Sequence, residues 1–159
     1  MVSPSVIPER SASRYAGRYS FSVDAQRLLE ILADSVKLAL GSKNPVTAQD
    51  RFQLAVELYY QLMSLGLPQE LRSSVERTVA DMAERFPLQM RVNEALGLHE
   101  KASKLKTPRR RLELLYRSRD ILRDALAANP GGSDTFRSVQ AQVIAGISEA
   151  EASEGKGSA

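Results

Sequence analysis

The sequence predicts an all-α fold with about six helices, arranged as three antiparallel hairpins in a compact bundle or a short α-solenoid. Between residues 22 and 151, the apolar side chains recur with the 3.6-residue period of a helix nearly throughout. No segment shows the sustained alternation of β-branched and polar residues that indicates a strand. The connections between the apolar stripes are roughly two to six residues long, which suits helices packed antiparallel to their neighbours.

The first two helices are expected near the start of this periodic region. Ser22 is a suitable N-cap for a helix over 23–40. The second helix is expected to begin at 44–45, or at Thr47, and to end near 65–66. It carries two apolar faces, so we expect it to be buried on two sides.

A helix break is predicted at Phe86-Pro87. Pro68 is expected to open a third helix that reaches about Arg85. The residue before a proline disfavours the α conformation, so this helix should stop there. A fourth helix is then expected to carry the apolar stripe that runs over 88–102.

The last two helices have the clearest boundaries in the chain. Thr107 followed by Pro108 matches an N-cap with proline at the first helical position. This fifth helix should stop at 129–132, where the sequence reads Asn-Pro-Gly-Gly. The sixth helix is expected over about 133–151.

The sequence thus predicts three regions: an extended N-terminal arm over 1–21, a helical domain over 22–151 and a flexible tail over 152–159. The tail is small, polar and rich in glycine. The start has no apolar run of the length that a signal peptide needs, and no window approaches the length of a membrane span. We therefore expect a cytoplasmic protein without a membrane span. Organelle import is the alternative, because residues 1–20 are rich in Ser and Arg, with Glu9 as the one acidic residue.

Composition argues against most catalytic and metal chemistry. The chain of 159 residues has no cysteine and one histidine, His99. Thiolate zinc sites, cysteine nucleophiles and iron–sulfur clusters are therefore excluded, and one chain cannot form a two-histidine metal site. His99 lies on an apolar stripe, where a packed residue is the usual interpretation. We expect no catalytic, cofactor or metal-binding residues, and a protein that is not an enzyme.

The charge is concentrated in residues 101–123, which we call the basic segment. It holds nine cationic residues against Glu113 and Asp120, a local charge of +7 in a chain of net charge +3, so the remainder carries −4. We expect this segment to contact a protein partner or a second copy of the chain, because Arg pairs well with carboxylates. The expected contact residues are Lys104, Lys106, Arg109, Arg110, Arg111 and Arg117.

A nucleic-acid-binding accessory protein is the alternative for the same Lys101–Arg123 face. Clustered cations at a helix start can contact phosphates, and such binding weakens steeply with salt. However, Tyr116 is the one aromatic residue in the segment, whereas single-strand binding relies on several stacking rings. The sequence also has no helix-turn-helix or ribonucleoprotein signature.

The N-terminal arm contains two Arg-Tyr pairs spaced by four residues, Arg14-Tyr15 and Arg18-Tyr19. Both residue types are enriched at the energetic centres of protein interfaces. We expect these four residues to anchor the arm on a partner, and a disordered basic tail is the alternative.

One stretch resembles a known repeat. In the second helix of a tetratricopeptide repeat, a small residue, a bulky one, an alanine and a closing proline occur at the spacing of Ser118, Leu122, Ala125 and Pro130. The resemblance covers about 13 residues, and Pro108 and Arg109 depart from the first half of the repeat. It implies a scaffold of stacked helical hairpins that binds peptides or partner subunits on a concave face.

Overall fold

The computed structural model describes residues 23–131 and 136–158, and this part of the chain is helical with no strand. The all-α class predicted from the apolar period is therefore confirmed for it. The described residues form five helices rather than the predicted six. They are α1 Val23–Gly41, α2 Pro45–Met63, α3 Gln69–Ser103, α4 Pro108–Ala128 and α5 Arg137–Ser158. None of these five is apolar enough over its length to cross a membrane.

The predicted break at Phe86-Pro87 is wrong, because α3 continues through Pro87 as one helix. Phe86 is buried and its ring stacks on that of Phe52, with the ring centroids 4.3 Å apart. On the other side of the proline, the buried Val92 and Ala95 continue the apolar stripe. Packing on both sides therefore holds the helical register and outweighs the local preference against α before proline.

The turn between α2 and α3 follows the glycine signal in the sequence. Gly66 has a φ of +65°, the left-handed conformation that glycine adopts most readily. The Arg72 guanidinium donates a hydrogen bond of 3.3 Å to the carbonyl of Met63, one of the carbonyls left without a partner at the end of α2. The expected end near 65–66 is thus close to the observed one.

Both ends of α4 lie where the sequence predicts them. Thr107 has extended backbone angles and Pro108 is the first helical residue. Asn129 closes the helix, with its backbone N–H donating to Leu126 O and its side-chain amide donating to Ala125 O. In contrast, α5 extends past the expected end near 151 and reaches Ser158, so it includes Gly155 and Gly157 although glycine is unfavourable inside a helix.

The chain divides into two compact units by its internal contacts. The described part of the first unit comprises 23–42 and Val46–Pro87, and that of the second comprises Lys43–Pro45, 88–131 and 136–158. Each unit has its own apolar core. Buried side chains of the first core include Leu29, Leu32, Val36, Leu62, Leu71, Val75 and Met82. The second core joins α3, α4 and α5 through Val92, Ala95, Ala102, Leu112, Leu115, Leu122, Val143, Ile147 and Ala150.

Candidate partner-binding surface

The start of α4 carries three consecutive arginines in its first turn. Arg109 and Arg110 are exposed, Arg111 is half-buried, and this turn contains no acidic residue. The N-terminus of a helix is the positive end of its dipole, so cations there lower helix stability by about 0.3–1 kcal/mol each when exposed. The Thr107 hydroxyl makes no capping hydrogen bond that would offset this. Helix stability therefore does not explain why three cations occupy this turn.

Most cations of the basic segment have no acidic partner in the part of the chain that the structure describes. The described residues provide neither a hydrogen bond nor an ion pair within 4.0 Å for six of these side chains, all of them exposed. Their positive charge is therefore available to an external partner. The six are Lys101, Lys104, Lys106, Arg109, Arg110 and Arg117.

The C-terminal part of the basic segment is different, because its arginines are paired. Arg119 lies 3.1 Å from the Asp120 carboxylate and 4.8 Å from the centre of the Tyr116 ring. Arg123 lies 3.5 Å from Asp120 and 3.3 Å from Asp124. These neighbouring carboxylates neutralise both arginines, so the unpaired charge of the segment is confined to 101–117.

The Tyr116 side chain also contacts two other residues, one through its hydroxyl and one through its ring. Its hydroxyl donates a hydrogen bond of 2.9 Å to Glu151 on α5. This hydrogen bond, together with desolvation and the Glu151 charge, raises the pKa of Tyr116, because each of them favours the neutral phenol. With Arg119 against its ring, the one aromatic side chain of the segment does not form a free stacking platform.

Lys101 and Arg117 meet at an open cleft in the second unit. The cleft has a volume of about 460 Å³ and is also lined by Lys43 and by the acidic residues Glu94 and Glu100. Both carboxylates are already paired, Glu94 with Arg91 at 2.8 Å and Glu100 with the ammonium of Lys43. The hydrogen bond and charge of Lys43 lower the pKa of Glu100. The cleft therefore presents two cations, Lys101 and Arg117, whose charge no nearby carboxylate cancels.

Lys43 is a part of this surface that the sequence does not reveal. It precedes α2 and reaches Glu100 across a separation of 57 residues. Gly97 permits this approach, since a side chain there would place its Cβ 3.3 Å from both Lys43 Cβ and Lys43 O. A glycine in the middle of an apolar helical stripe is the one sequence signal for such a close contact.

The predicted contact residues are only partly brought together. Lys104, Lys106, Arg109, Arg110 and Arg117 are exposed, as a contact surface requires. Arg111 is an exception, because it is half-buried and its Nε is buried without a hydrogen-bond partner in the described residues. The four arm residues, Arg14, Tyr15, Arg18 and Tyr19, lie outside the described residues.

The described residues contain no group of three or more His, Asp and Glu side chains that could hold a metal ion. Comparison of the chain with family models, with curated proteins and with solved structures finds no match. The surface of the second unit therefore provides the main indication of function.

Proposed function

We propose that the protein is a non-catalytic interaction module or small assembly subunit that docks an acidic protein surface on its basic segment. The observation that carries this proposal is the contrast within the segment: among the described residues, the cations of 101–117 have no carboxylate partner within 4.0 Å, whereas Arg119 and Arg123 do. Binding through exposed arginine and lysine side chains without partners costs little free energy, because no internal ion pair must be broken first.

The unfavourable placement at the start of α4 supports a binding role. Three arginines in the first turn oppose the helix dipole, and an acidic partner would relieve this repulsion by placing carboxylates at the same helix end. The N-terminal arm, through Arg14, Tyr15, Arg18 and Tyr19, is proposed as a second contact with the same partner or with another copy of the chain.

A scaffold of antiparallel helical hairpins would suit this role. The three helical positions of the tetratricopeptide-like pattern, Ser118, Leu122 and Ala125, are all buried. The Ser118 hydroxyl donates a hydrogen bond of 2.7 Å to Ala95 O on α3, which joins two helices through a small residue. This contact supports the proposed pairing of the second part of α3 with α4.

The alternative proposal is a nucleic-acid-binding accessory protein that uses the Lys101–Arg123 face. The unpaired cations favour it equally, but two observations favour an acidic protein. The rest of the chain carries −4, which repels phosphate backbones beyond the immediate contact. Tyr116 is held by Arg119 and Glu151, so it offers no ring for a base to stack on.

The test compares two double variants with the same change in net charge. Arg110→Gln with Arg117→Gln removes two unpaired cations, and Arg119→Gln with Arg123→Gln removes two paired ones. Full-length chain is immobilised, and retention of a poly-glutamate peptide and of a DNA duplex is measured over a range of salt concentrations. We expect the first variant to lose most of the peptide binding and the second to keep it.

Equal loss in both variants would show a response to net charge alone and would contradict the proposed surface. Stronger retention of the duplex than of the peptide, with a steep salt dependence lost in the first variant, would favour the nucleic-acid alternative. Light scattering on the same samples reports whether the chain binds itself.

A further inference from the structure

The exposed face of α2 carries negative charge that the described residues do not neutralise. Its exposed charged side chains are Asp50 and Glu57, while Arg51, the one cation of this helix, is half-buried. Neither carboxylate forms a hydrogen bond or an ion pair within 4.0 Å with the described residues. Both are therefore available to the cations of a partner.

Two large apolar side chains lie at the ends of this acidic face. Val46 and Tyr60 are each 68% exposed, and they come four residues before Asp50 and three residues after Glu57. The helical period therefore places all four side chains on one side of α2. Tyrosine is enriched at the energetic centres of protein interfaces, and an exposed apolar residue gains from being covered. This face thus has the composition of a docking surface for a cationic protein.

The unpaired cations of α4 have the same spacing as these carboxylates. Arg110 and Arg117 are exposed and seven residues apart, as are Asp50 and Glu57. Seven residues of an α-helix span about 10 Å and return to the same side. Two helices that lie side by side can therefore place both arginines against both carboxylates.

The side chains between these charges also fit. Glu113 lies between the two arginines on α4, and Gln53 lies between the two carboxylates on α2. Both are exposed, and neither has a hydrogen-bond partner among the described residues. A glutamine amide donates to a carboxylate, so Gln53 can face Glu113 without the repulsion that a third acidic residue on α2 would cause.

The helix dipoles favour an antiparallel arrangement of the two faces. The C-terminal end of a helix is its negative end, and the last turn of α2 contains no basic residue. The first turn of α4 is positive and carries three arginines. Antiparallel packing brings these two ends together, with Arg110 at Glu57 and Arg117 at Asp50.

We propose that α2 of one copy of the chain docks antiparallel on α4 of a second copy. This inference rests on the proposed function and names a second copy as the acidic partner, because the matched spacing favours it over an unrelated acidic protein. Tyr60 then covers the start of α4. A contact between single helices buries less than the roughly 800 Å² per partner of a standard interface, so the association is weak and is screened by salt.

The test is charge reversal in the full-length chain, measured by sedimentation equilibrium at low salt. One variant combines Arg110→Glu with Arg117→Glu, and the other combines Asp50→Lys with Glu57→Lys. Each alone should raise the dissociation constant of self-association about tenfold or more, because like charges then face each other. An equimolar mixture of the two should restore association, because each reversed face meets its opposite.

A matched control reverses two carboxylates that are already paired. Glu76 and Asp81 on α3 lie 3.6 Å and 3.3 Å from arginines of the same helix, so Glu76→Lys with Asp81→Lys should associate as the wild type does. Circular dichroism of every variant checks that it is folded.

Three results would overturn the proposal: a wild type that stays monomeric at every concentration, a mixture that does not recover association, or reversed variants that associate as the wild type does. A monomeric wild type that still retains the poly-glutamate peptide through Arg110 and Arg117 would contradict self-docking alone. Loss of both self-association and peptide retention would contradict the proposed function as well.

Discussion

Tyr116 joins α4 to α5 through a hydrogen bond that depends on its proton. Because the folded chain raises the pKa of this phenol above its usual value of 10.0, it holds the proton more tightly than the unfolded chain does. The contact is therefore fully stabilising below that usual value. It is lost as the pH rises through the raised one, where phenolate and the Glu151 carboxylate repel each other.

We expect Tyr116→Phe to be less stable than wild type near neutral pH, with a difference that shrinks in alkali. Urea unfolding at about pH 8 and about pH 11 measures this, since the range brackets the ordinary phenol pKa. Tyr60→Phe is the control, because Tyr60 is 68% exposed and its hydroxyl makes no hydrogen bond with the described residues. A difference for Tyr116→Phe that grew with pH would contradict the assignment.

Ser118 is a buried hydroxyl that links two helices, whereas the equally buried Ser35 bonds within its own helix. Ser118 Oγ donates to Ala95 O at 2.7 Å, and Ser35 Oγ donates to Ile31 O at 2.8 Å. A hydroxyl that bonds four residues back in its own helix links no second helix, and such back-bonding slightly destabilises the helix that contains it.

We expect Ser118→Ala to lower the free energy of unfolding by about 0.5–1.5 kcal/mol, the net contribution of one hydrogen bond. Ser35→Ala should change it by less, since both variants gain the helix propensity of alanine but Ser35→Ala loses no contact between helices. Urea denaturation of both variants against wild type measures the difference. Equal effects would mean that the contact to α3 adds nothing beyond local packing.

At the scale of elements, α3 shows where sequence reasoning fails. The ends of α4 were predictable because Thr107, Pro108 and Asn129 act locally on the backbone next to them. The continuity of α3 was not predictable in this way, because it depends on Phe52, a residue on another helix that stacks on Phe86. A rule based on neighbours in sequence contains no information about such a contact.

Pro87 removes one backbone hydrogen bond from α3, and a substitution could restore it. Proline has no N–H to donate to the carbonyl four residues earlier, and the exposed side chain of Pro87 adds no core packing in return. We expect Pro87→Ala to raise the free energy of unfolding by about 1–3 kcal/mol. Pro108→Ala is the matched control. At the first position of α4 the missing N–H has no helical partner, so this change should be close to neutral.

Thermal and urea unfolding of the two proline variants give the comparison. Destabilisation by Pro87→Ala would show that the proline is required for the local backbone geometry, and that a regular helix is unfavourable at this point.

At the scale of the whole molecule, the surface was harder to predict than the fold. The apolar period identified the all-α class because every helix must bury one face, so its apolar residues recur with the helical period along its own sequence. Which cations stay unpaired depends on both neighbours and distant residues. Asp120 and Asp124 adjoin the arginines that they neutralise. Glu100, in contrast, is paired with Lys43, which lies 57 residues earlier in the sequence. A cleft of about 210 Å³ in the second unit is lined by residues of α3, α4 and α5, so no single stretch of sequence indicates it.

The two separate cores predict separate responses to core mutation. Leu32 and Leu122 are almost fully buried, one in each unit, and replacing a buried leucine with alanine costs about 2–5 kcal/mol. We expect Leu32→Ala to reduce amide hydrogen-exchange protection mainly in α1 and α2, and Leu122→Ala mainly in α4 and α5. Equal loss of protection throughout the chain in both variants would show that the units unfold as one.

The connection between α1 and α2 limits how the protein can be divided into fragments that each contain one unit. Residues 43–45, which include the first residue of α2, belong to the second unit, although the chain on both sides of them belongs to the first, so no single cut in the chain separates the units. A fragment that starts at Leu88 would keep the second core. It would lose Lys43, whose backbone packs on Gly97 and whose ammonium group pairs with Glu100. An isolated second unit would therefore need residues 43–45 supplied separately, as an added peptide or as a segment fused to the fragment.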